Sequence, residues 1–279
     1  MERIPPFAGR IAMAALGLTG LVALAPAQAQ TVTVFGIADA ALRRVDNQGL
    51  PAVHSMVSGS NSTSRLGFRG QEDLGGGLWA GFHLEHGILL DTGSPASSSM
   101  FFDRRSTVSL MGGFGEIRLG RDYTPHFWNT TVYDPFGTNG VGSANTFGML
   151  GAAANTSTAV RSNNAISYFT PNLGGFSAQV MYAFGENVSG GAKTNNYMGF
   201  RVGYAAGPIS VHAAYGKTEG ATDAADHKAM NFGGSFDLGF IKPSLMIAQE
   251  KNGAGAKITA IEPGIMVPLG AGVIRASYA

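Results

Sequence analysis

From residue 32 onward, bulky apolar residues alternate with small or polar ones in short segments. Successive side chains of a β-strand point to opposite faces, so a period of two predicts strands rather than helices. The segment from Phe176 to Gly185 is the clearest case. Val180 and Tyr182 fall on one face of this segment, and Gln179 falls on the other. The pattern predicts an all-β protein.

Glycine-rich turns separate the alternating segments. About thirty residues lie between most of these turns, enough for two strands of ~10 residues and one longer loop. Short turns that alternate with long loops are typical of outer-membrane β-barrels. The turns are Leu74–Leu78, Met111–Gly115, Asn172–Phe176, Gly207–Pro208, Asp237–Gly239 and Pro268–Gly272.

A soluble β-sandwich would also show alternation, so the residues on the second face decide between the two folds. In a sandwich, one face of each strand packs into a core and the other is solvated. Here the second face carries glycine, alanine, serine and isolated charges, which suits a water-filled lumen. The sequence therefore favours a transmembrane antiparallel β-barrel.

The first 29 residues have the pattern of a secretory signal peptide. Arg3 and Arg10 give a positive start, and the apolar stretch Ile11–Leu24 follows. This stretch is shorter than the ~20 residues that a membrane-spanning helix needs. The small residues at 27–29 predict cleavage after Ala29.

The charge balance and the cysteine content argue against a nucleic-acid partner and against disulfide bonds. Removing Arg3 and Arg10 from the 19 basic residues, and Glu2 from the 18 acidic ones, leaves 17 of each. A neutral chain without a polybasic run gives no reason to expect nucleic acid as a partner. The chain has no cysteine, so no disulfide stabilises it.

Three stretches carry distinctive motifs: Ser64–Glu85 (SRLGFRGQEDLGGGLWAGFHLE), Arg104–Pro125 (RRSTVSLMGGFGEIRLGRDYTP) and Asn163–Glu186 (NNAISYFTPNLGGFSAQVMYAFGE). These stretches resemble the general trimeric porins of Gram-negative outer membranes. The segment Val32–Asp39 and the run Tyr133–Gly137 (YDPFG) are similar too. The resemblance covers nearly all of residues 30–279.

The resemblance implies a 16-stranded barrel in the cell outer membrane that associates as a homotrimer and contacts outer-membrane lipid and lipopolysaccharide. It also implies passive diffusion of small hydrophilic solutes through a water-filled channel, without a cofactor. In this family the third extracellular loop folds inward to narrow the pore. The corresponding segment here is about 130–161.

About twelve or thirteen strands can be counted in this chain. The last complete one lies near Lys257–Val267, and another begins at Val273. Members of the family end on an aromatic-terminated strand, whereas this sequence ends at Ala279. We therefore expect a barrel that is incomplete at its carboxyl end. An open sheet in lipid leaves unpaired backbone groups at two edges, so either the sequence is a fragment or the missing strands come from elsewhere. Whether the pore closes is left open.

A passive channel selects solutes by its narrowest width and by the charges that line it. Alternation turns Arg65 and Arg69 inward, and Arg161 lies at the base of the expected constriction loop. Asp134 is the one carboxylate of that loop. This excess of arginine predicts an anion-preferring pore. The alternative is that the arginines form ion pairs with loop carboxylates.

Alternation and resemblance disagree about two neighbouring arginines. With Val108 and Leu110 facing outward, alternation turns Arg105 towards the lumen. The resemblance instead places Arg104 in the basic cluster with Arg65. Both are candidates, and Arg104 is preferred because bulges near a constriction shift the phase of a strand.

Two rival functions use the same fold. One is a substrate-selective channel for particular anions or nutrients, and the other is a truncated, non-conducting surface protein such as an adhesin or receptor.

No serine-hydrolase motif or HExxH zinc motif is present, so neither an enzyme nor a metal site is predicted.

Overall fold

The computed structural model describes residues 31–144, 158–186 and 194–279. The predicted signal peptide, residues 1–29, lies outside the described residues, as does the middle of the expected constriction loop, residues 145–157. Among the described residues, no helix has the length and apolar character needed to cross a bilayer.

Strands make up most of the described chain, as the alternation predicted. There is one α-helix, α1 (Pro125–Tyr133), and one short 3-10 helix (Asp223–Ala225) within the described ranges. The strands are β1 Thr31–Ile37, β2 Ala40–Val45, β3 Val53–Ser58, β4 Arg65–Gly75, β5 Leu78–Leu89, β6 Ser94–Pro95, β7 Arg105–Gly112, β8 Gly115–Tyr123, β9 Arg161–Phe169, β10 Phe176–Ala183, β11 Tyr197–Ala206, β12 Ile209–Thr218, β13 His227–Phe236, β14 Lys242–Asn252, β15 Lys257–Leu269 and β16 Gly272–Ser277.

One antiparallel sheet of fourteen strands forms the wall. Its order is β1-β4-β5-β7-β8 and then β9 to β16 in sequence, with β6 added at the end of β5. Strands β2 and β3 form a separate hairpin between β1 and β4. The glycine-rich turns fall where the sequence placed them, and Gly75, Gly76 and Gly77 all have positive φ between β4 and β5.

The two faces of the sheet differ as the alternation predicted. On β10, Val180 is 52% exposed on the outer face, whereas its neighbour Gln179 is 7% exposed on the inner face. Val108 and Leu119 lie on the outer face of the adjoining wall and are also exposed. Bulky outer side chains without protein neighbours suit contact with lipid, which identifies a membrane-spanning wall.

The sheet curls until its two ends approach one another. Arg275 on β16 donates from Nη1 to the Oδ1 atom of Asn61, 2.8 Å away in the segment before β4. In the described residues, β1 and β16 end the strand order and are not paired with each other. The inner face therefore encloses a lumen, which α1 enters from the end of β8.

A bulge in the wall positions the residues at the base of α1. The register of β8 and β9 shifts between Gly120 and Asp122, opposite Asn164, whose φ is 53°. Gly120 has a φ of 122° and lies against the backbone of Ser106, so a side chain would fit poorly there. The shift places Tyr123 directly opposite Arg161.

Candidate functional site

Three arginines meet around one carboxylate on the inner face of the wall. Arg65 lies on β4, Arg104 immediately precedes β7, and Arg161 begins β9. The Oε1 atom of Glu85 on β5 lies 3.4 Å from Nη1 of Arg65 and 2.5 Å from Nε of Arg104. We call this group the constriction cluster, after the role that the sequence predicts for it. Three guanidinium charges against one carboxylate leave it with a net charge of +2.

Tyr123 connects the constriction cluster to the loop. Its Oη atom accepts hydrogen bonds from Nη2 of Arg104 at 3.0 Å and from Nη2 of Arg161 at 2.8 Å. The guanidinium of Arg161 also lies over the tyrosine ring, 4.4 Å from its centroid. Phe127 of α1 stacks on the ring at 5.0 Å. The placement of α1 is therefore coupled to that of the arginines.

A second set of charges lies next to this cluster along β7 and β8. The Oδ2 atom of Asp122 binds Nη2 of Arg105 at 3.4 Å and Nη1 of Arg118 at 2.6 Å. Arg118 also forms a bidentate pair with Glu116, with both distances at 2.8 Å. Two arginines share two carboxylates, so this set is close to neutral.

Arg69 lies beside this second set. It lines a cavity of about 590 Å³ together with Arg105 and Arg118. Its guanidinium carbon lies 5.3 Å from the centroid of the Phe35 ring, a cation–π contact with a residue of β1. The side chain of Arg69 therefore points inward, as the alternation predicts.

A cavity of about 620 Å³ lies against the constriction cluster. Its lining includes Arg65, Arg104, Arg161 and Tyr123, together with Arg275 of β16. The sequence reasoning missed Arg275, although alternation with the exposed Ile274 could have identified its inward direction.

Asp134 does not face the arginines as an open charge. It is 4% exposed, and its carboxylate accepts backbone N–H groups from Phe136 at 2.7 Å, Thr138 at 2.8 Å and Ala144 at 2.8 Å. It lines the same cavity of about 620 Å³ as Arg65, Arg104 and Arg161. A carboxylate with three backbone donors also fixes the turn that follows α1.

A buried polar network fastens α1 to the far wall. Asn129 donates to the Oδ1 atom of Asn231 at 2.9 Å, and Asn231 donates to the backbone oxygen of His126 at 2.8 Å. Arg201 on β11 donates from Nε to the Oδ1 atom of Asn129 at 2.9 Å. This hydrogen bond helps to hold α1 in place.

His126 is enclosed between α1 and the wall. Burial lowers its pKa from 6.5 to about 4, against the opposing influence of Glu250, while His227 lowers it further. Its Nδ1 atom lies 3.0 Å from the hydroxyl of Tyr197 on β11. The docked helix thus holds an uncharged imidazole at neutral pH.

The remaining histidines give no metal centre among the residues that the structure describes, since no group of three or more His, Asp or Glu side chains could hold an ion there. His83, which shares an inward strand face with Glu85, lies 3.4 Å from it. That pair extends the hydrogen bonding of the constriction cluster.

The structure places both disputed arginines on the inner face. Arg105 begins β7 opposite Glu85 and follows the alternation of that strand. Arg104 precedes the strand, where alternation does not hold, and its side chain reaches Glu85. Arg104 therefore belongs to the constriction cluster and Arg105 to the neighbouring set. The arginines pair with wall carboxylates, whereas the sequence alternative had proposed loop carboxylates.

Comparison with known proteins gives one family. The family model described as Gram-negative porin matches residues 12–279. Outer membrane porin protein 32 of Delftia acidovorans is 38% identical over 276 residues, which cover 95% of this chain and 78% of that protein. An outer membrane porin protein of Bordetella pertussis is 32% identical over 260 residues, covering 81% of this chain and 66% of that protein.

A solved structure has the same wall. The anion-selective porin from Comamonas acidovorans is 39% identical and superimposes with a TM-score of 0.80. The match covers 90% of this chain and 78% of that one.

Proposed function

The chain belongs to the Gram-negative porin family, and we propose that its channel prefers anions because the constriction cluster carries excess positive charge. It is an outer-membrane protein that forms a water-filled channel for passive diffusion of small hydrophilic solutes. Such a channel selects solutes by charge and width rather than by chemistry.

The arrangement of charge around the 620 Å³ cavity carries the proposal. Arg65, Arg104 and Arg161 outnumber Glu85, and Arg275 adds a further positive charge to the lining of the cavity. Asp134 also lines this space, and its carboxylate accepts backbone N–H groups. Arginines outnumber carboxylates around the cavity, so an anion in it is attracted.

The similarity to the anion-selective Comamonas protein, at 39% identity, supports the same preference here.

We further propose a homotrimer that contacts outer-membrane lipid and lipopolysaccharide. In this proposal, residues 1–29 are removed as a signal peptide, and about 130–161 serve as the constriction loop. The exposed apolar outer face supports contact with lipid and with neighbouring copies. Migration of the unheated protein on a denaturing gel, before and after crosslinking, tests the trimer.

The reversal potential in a KCl gradient across a planar bilayer tests the anion preference. We expect the sign that corresponds to a chloride permeability above that of potassium. The Arg44→Gln variant is a control, because Arg44 lies on the exposed β2–β3 hairpin and pairs with Asp46. A potential of the opposite sign in the unaltered protein contradicts the proposal.

The same recordings address the rival, substrate-selective channel. Conductance that rises in proportion to the salt concentration indicates free diffusion. Saturation of the chloride current by one organic anion at low concentration would instead indicate a dedicated solute.

A further inference from the structure

The hydrogen bonds of the Tyr123 hydroxyl leave its proton available. A phenol oxygen accepts hydrogen bonds through its lone pairs and donates one through its O–H group. Here both accepted bonds come from arginines, Arg104 at 3.0 Å and Arg161 at 2.8 Å. Among the residues that the structure describes, none accepts a hydrogen bond from this hydroxyl.

Tyr123 lines two cavities on the inner face of the wall. It lines the 620 Å³ cavity beside α1 and also a second cavity, of about 440 Å³, that contains Arg105 and Asp122. Its ring is held between the guanidinium of Arg161 and the ring of Phe127. The hydroxyl is therefore a fixed group at the junction of the two spaces.

The neighbouring charges strengthen this donor. Two positively charged groups that donate to a phenol oxygen withdraw electron density from it and polarise its O–H bond. An oxyanion has separate oxygen atoms, so one can bind a guanidinium while another accepts the phenol proton. Chloride is a single atom and has no second acceptor with which to reach the hydroxyl.

We propose that the Tyr123 hydroxyl donates a hydrogen bond to anions in the constriction and makes the channel prefer oxyanions, such as carboxylates, over halides of equal charge. This inference rests on the proposed anion preference and names the class of anion. Arg104 and Arg161 supply the charge, and Tyr123 supplies the discrimination.

Acetate and chloride provide the test, because both carry one negative charge. The relative permeability is measured from reversal potentials with potassium acetate on one side and potassium chloride on the other. Block of the chloride current by acetate gives the dissociation constant of acetate. Loss of one hydrogen bond to a charged group weakens binding about tenfold, so Tyr123→Phe is expected to raise that constant about tenfold.

Two measurements distinguish a hydroxyl that donates to the anion from one that only holds the arginines in place. Tyr123→Phe keeps every charge of the constriction cluster but also removes the acceptor of two arginines, so its effect on acetate block is compared with its effect on the chloride-to-potassium ratio. A weakening of acetate block that exceeds the change in the chloride-to-potassium ratio supports donation by the hydroxyl, whereas equal changes in both show that it only holds the arginines and overturn the inference. The matched control is Tyr168→Phe, which removes a hydroxyl on the outer face that donates to the backbone oxygen of Phe114 at 2.6 Å. This control is expected to leave acetate block unchanged.

A second variant keeps the shape of the side chain. Fluorination of the Tyr123 ring at both positions beside the hydroxyl makes the phenol a stronger donor and a weaker acceptor. Measured at a pH where the fluorinated phenol stays protonated, acetate binding is expected to tighten. Weaker acetate binding would show that the hydroxyl acts only by accepting from the arginines, which overturns the inference.

Two failures are distinguishable. If the unaltered protein prefers potassium, the proposed anion preference is wrong and this inference falls with it. If the unaltered protein prefers chloride, but Tyr123→Phe leaves acetate block and the acetate-to-chloride ratio unchanged, only the role of Tyr123 is wrong.

Discussion

Replacing Arg161 by glutamine tests the electrostatic account with little structural disturbance. Arg161 donates to Tyr123 at 2.8 Å and lies over its ring, while the ion pairs of Glu85 are formed with Arg65 and Arg104. Arg161→Gln therefore removes a charge without leaving a buried carboxylate unpaired. Arg104→Gln would also break the 2.5 Å ion pair with Glu85. Its effect on selectivity could then not be separated from the destabilisation caused by an unpaired buried carboxylate.

The expected size follows from Coulomb's law. The net charge of the constriction cluster falls from +2 to +1. A unit charge about 5 Å from a passing ion contributes about 0.8 kcal/mol in water, and screening in 0.1 M salt reduces this to about 0.5 kcal/mol. The change is opposite for cations and anions, so the permeability ratio shifts by about 1 kcal/mol, or about fivefold.

Reversal potentials in KCl gradients measure this ratio. At 0.1 M salt, we expect Arg161→Gln to lower the chloride-to-potassium ratio about fivefold, and Arg44→Gln to leave it unchanged. In 1 M salt the Debye length falls to about 3 Å, so the same substitution should change the ratio by less than about twofold. A ratio that does not change at low salt, or a change that persists equally at high salt, refutes the electrostatic reasoning.

Four further outcomes are expected. Glu85→Gln raises the net charge of the constriction cluster and should raise the chloride-to-potassium ratio about fivefold at 0.1 M salt; a lower ratio would contradict this. Asn129→Ala removes the bond to Asn231 and should weaken docking of α1 by about 1–3 kcal/mol, seen as noisier single-channel current and a larger polymer exclusion limit. The pKa of His126 is depressed to about 4, so docking is stable above pH 6.5 and weakens by about 3 kcal/mol as the pH falls towards 4; current noise should rise over that window, and His126→Gln should remove the dependence. Gly120→Ala puts a side chain at a φ of 122° against the backbone of Ser106, so the fraction of folded protein in detergent should fall, whereas Gly113→Ala, in open space, should not change it.

The sequence was sufficient to predict the wall. Alternation identifies which residues of β10 face outward, and the glycine turns mark where strands end, because both depend on local backbone geometry. The direction of Arg65 and Arg69 follows from the same period of two. Each of these predictions concerns a residue within a regular strand.

The contacts at the constriction could not be predicted in the same way. The pairing of Arg104 with Glu85, and of Arg105 with Asp122, depends on the register between neighbouring strands. Register is set by bulges and turns whose effect a single sequence does not reveal. The backbone hydrogen bonds of Asp134 could not be predicted for a related reason: its partners lie up to ten residues further along the loop, at Ala144.

The hydrogen bonds that hold α1 against β12 and β13 affect the order in which the channel assembles. Asn129 binds Asn231, which lies 102 residues later in the chain, and Tyr133 binds His212, 79 residues later. Contacts between segments so distant in sequence form late, because the intervening chain must first be ordered. We therefore expect α1 to dock only after β12 and β13 have joined the wall, so that the lumen narrows in a late step of assembly.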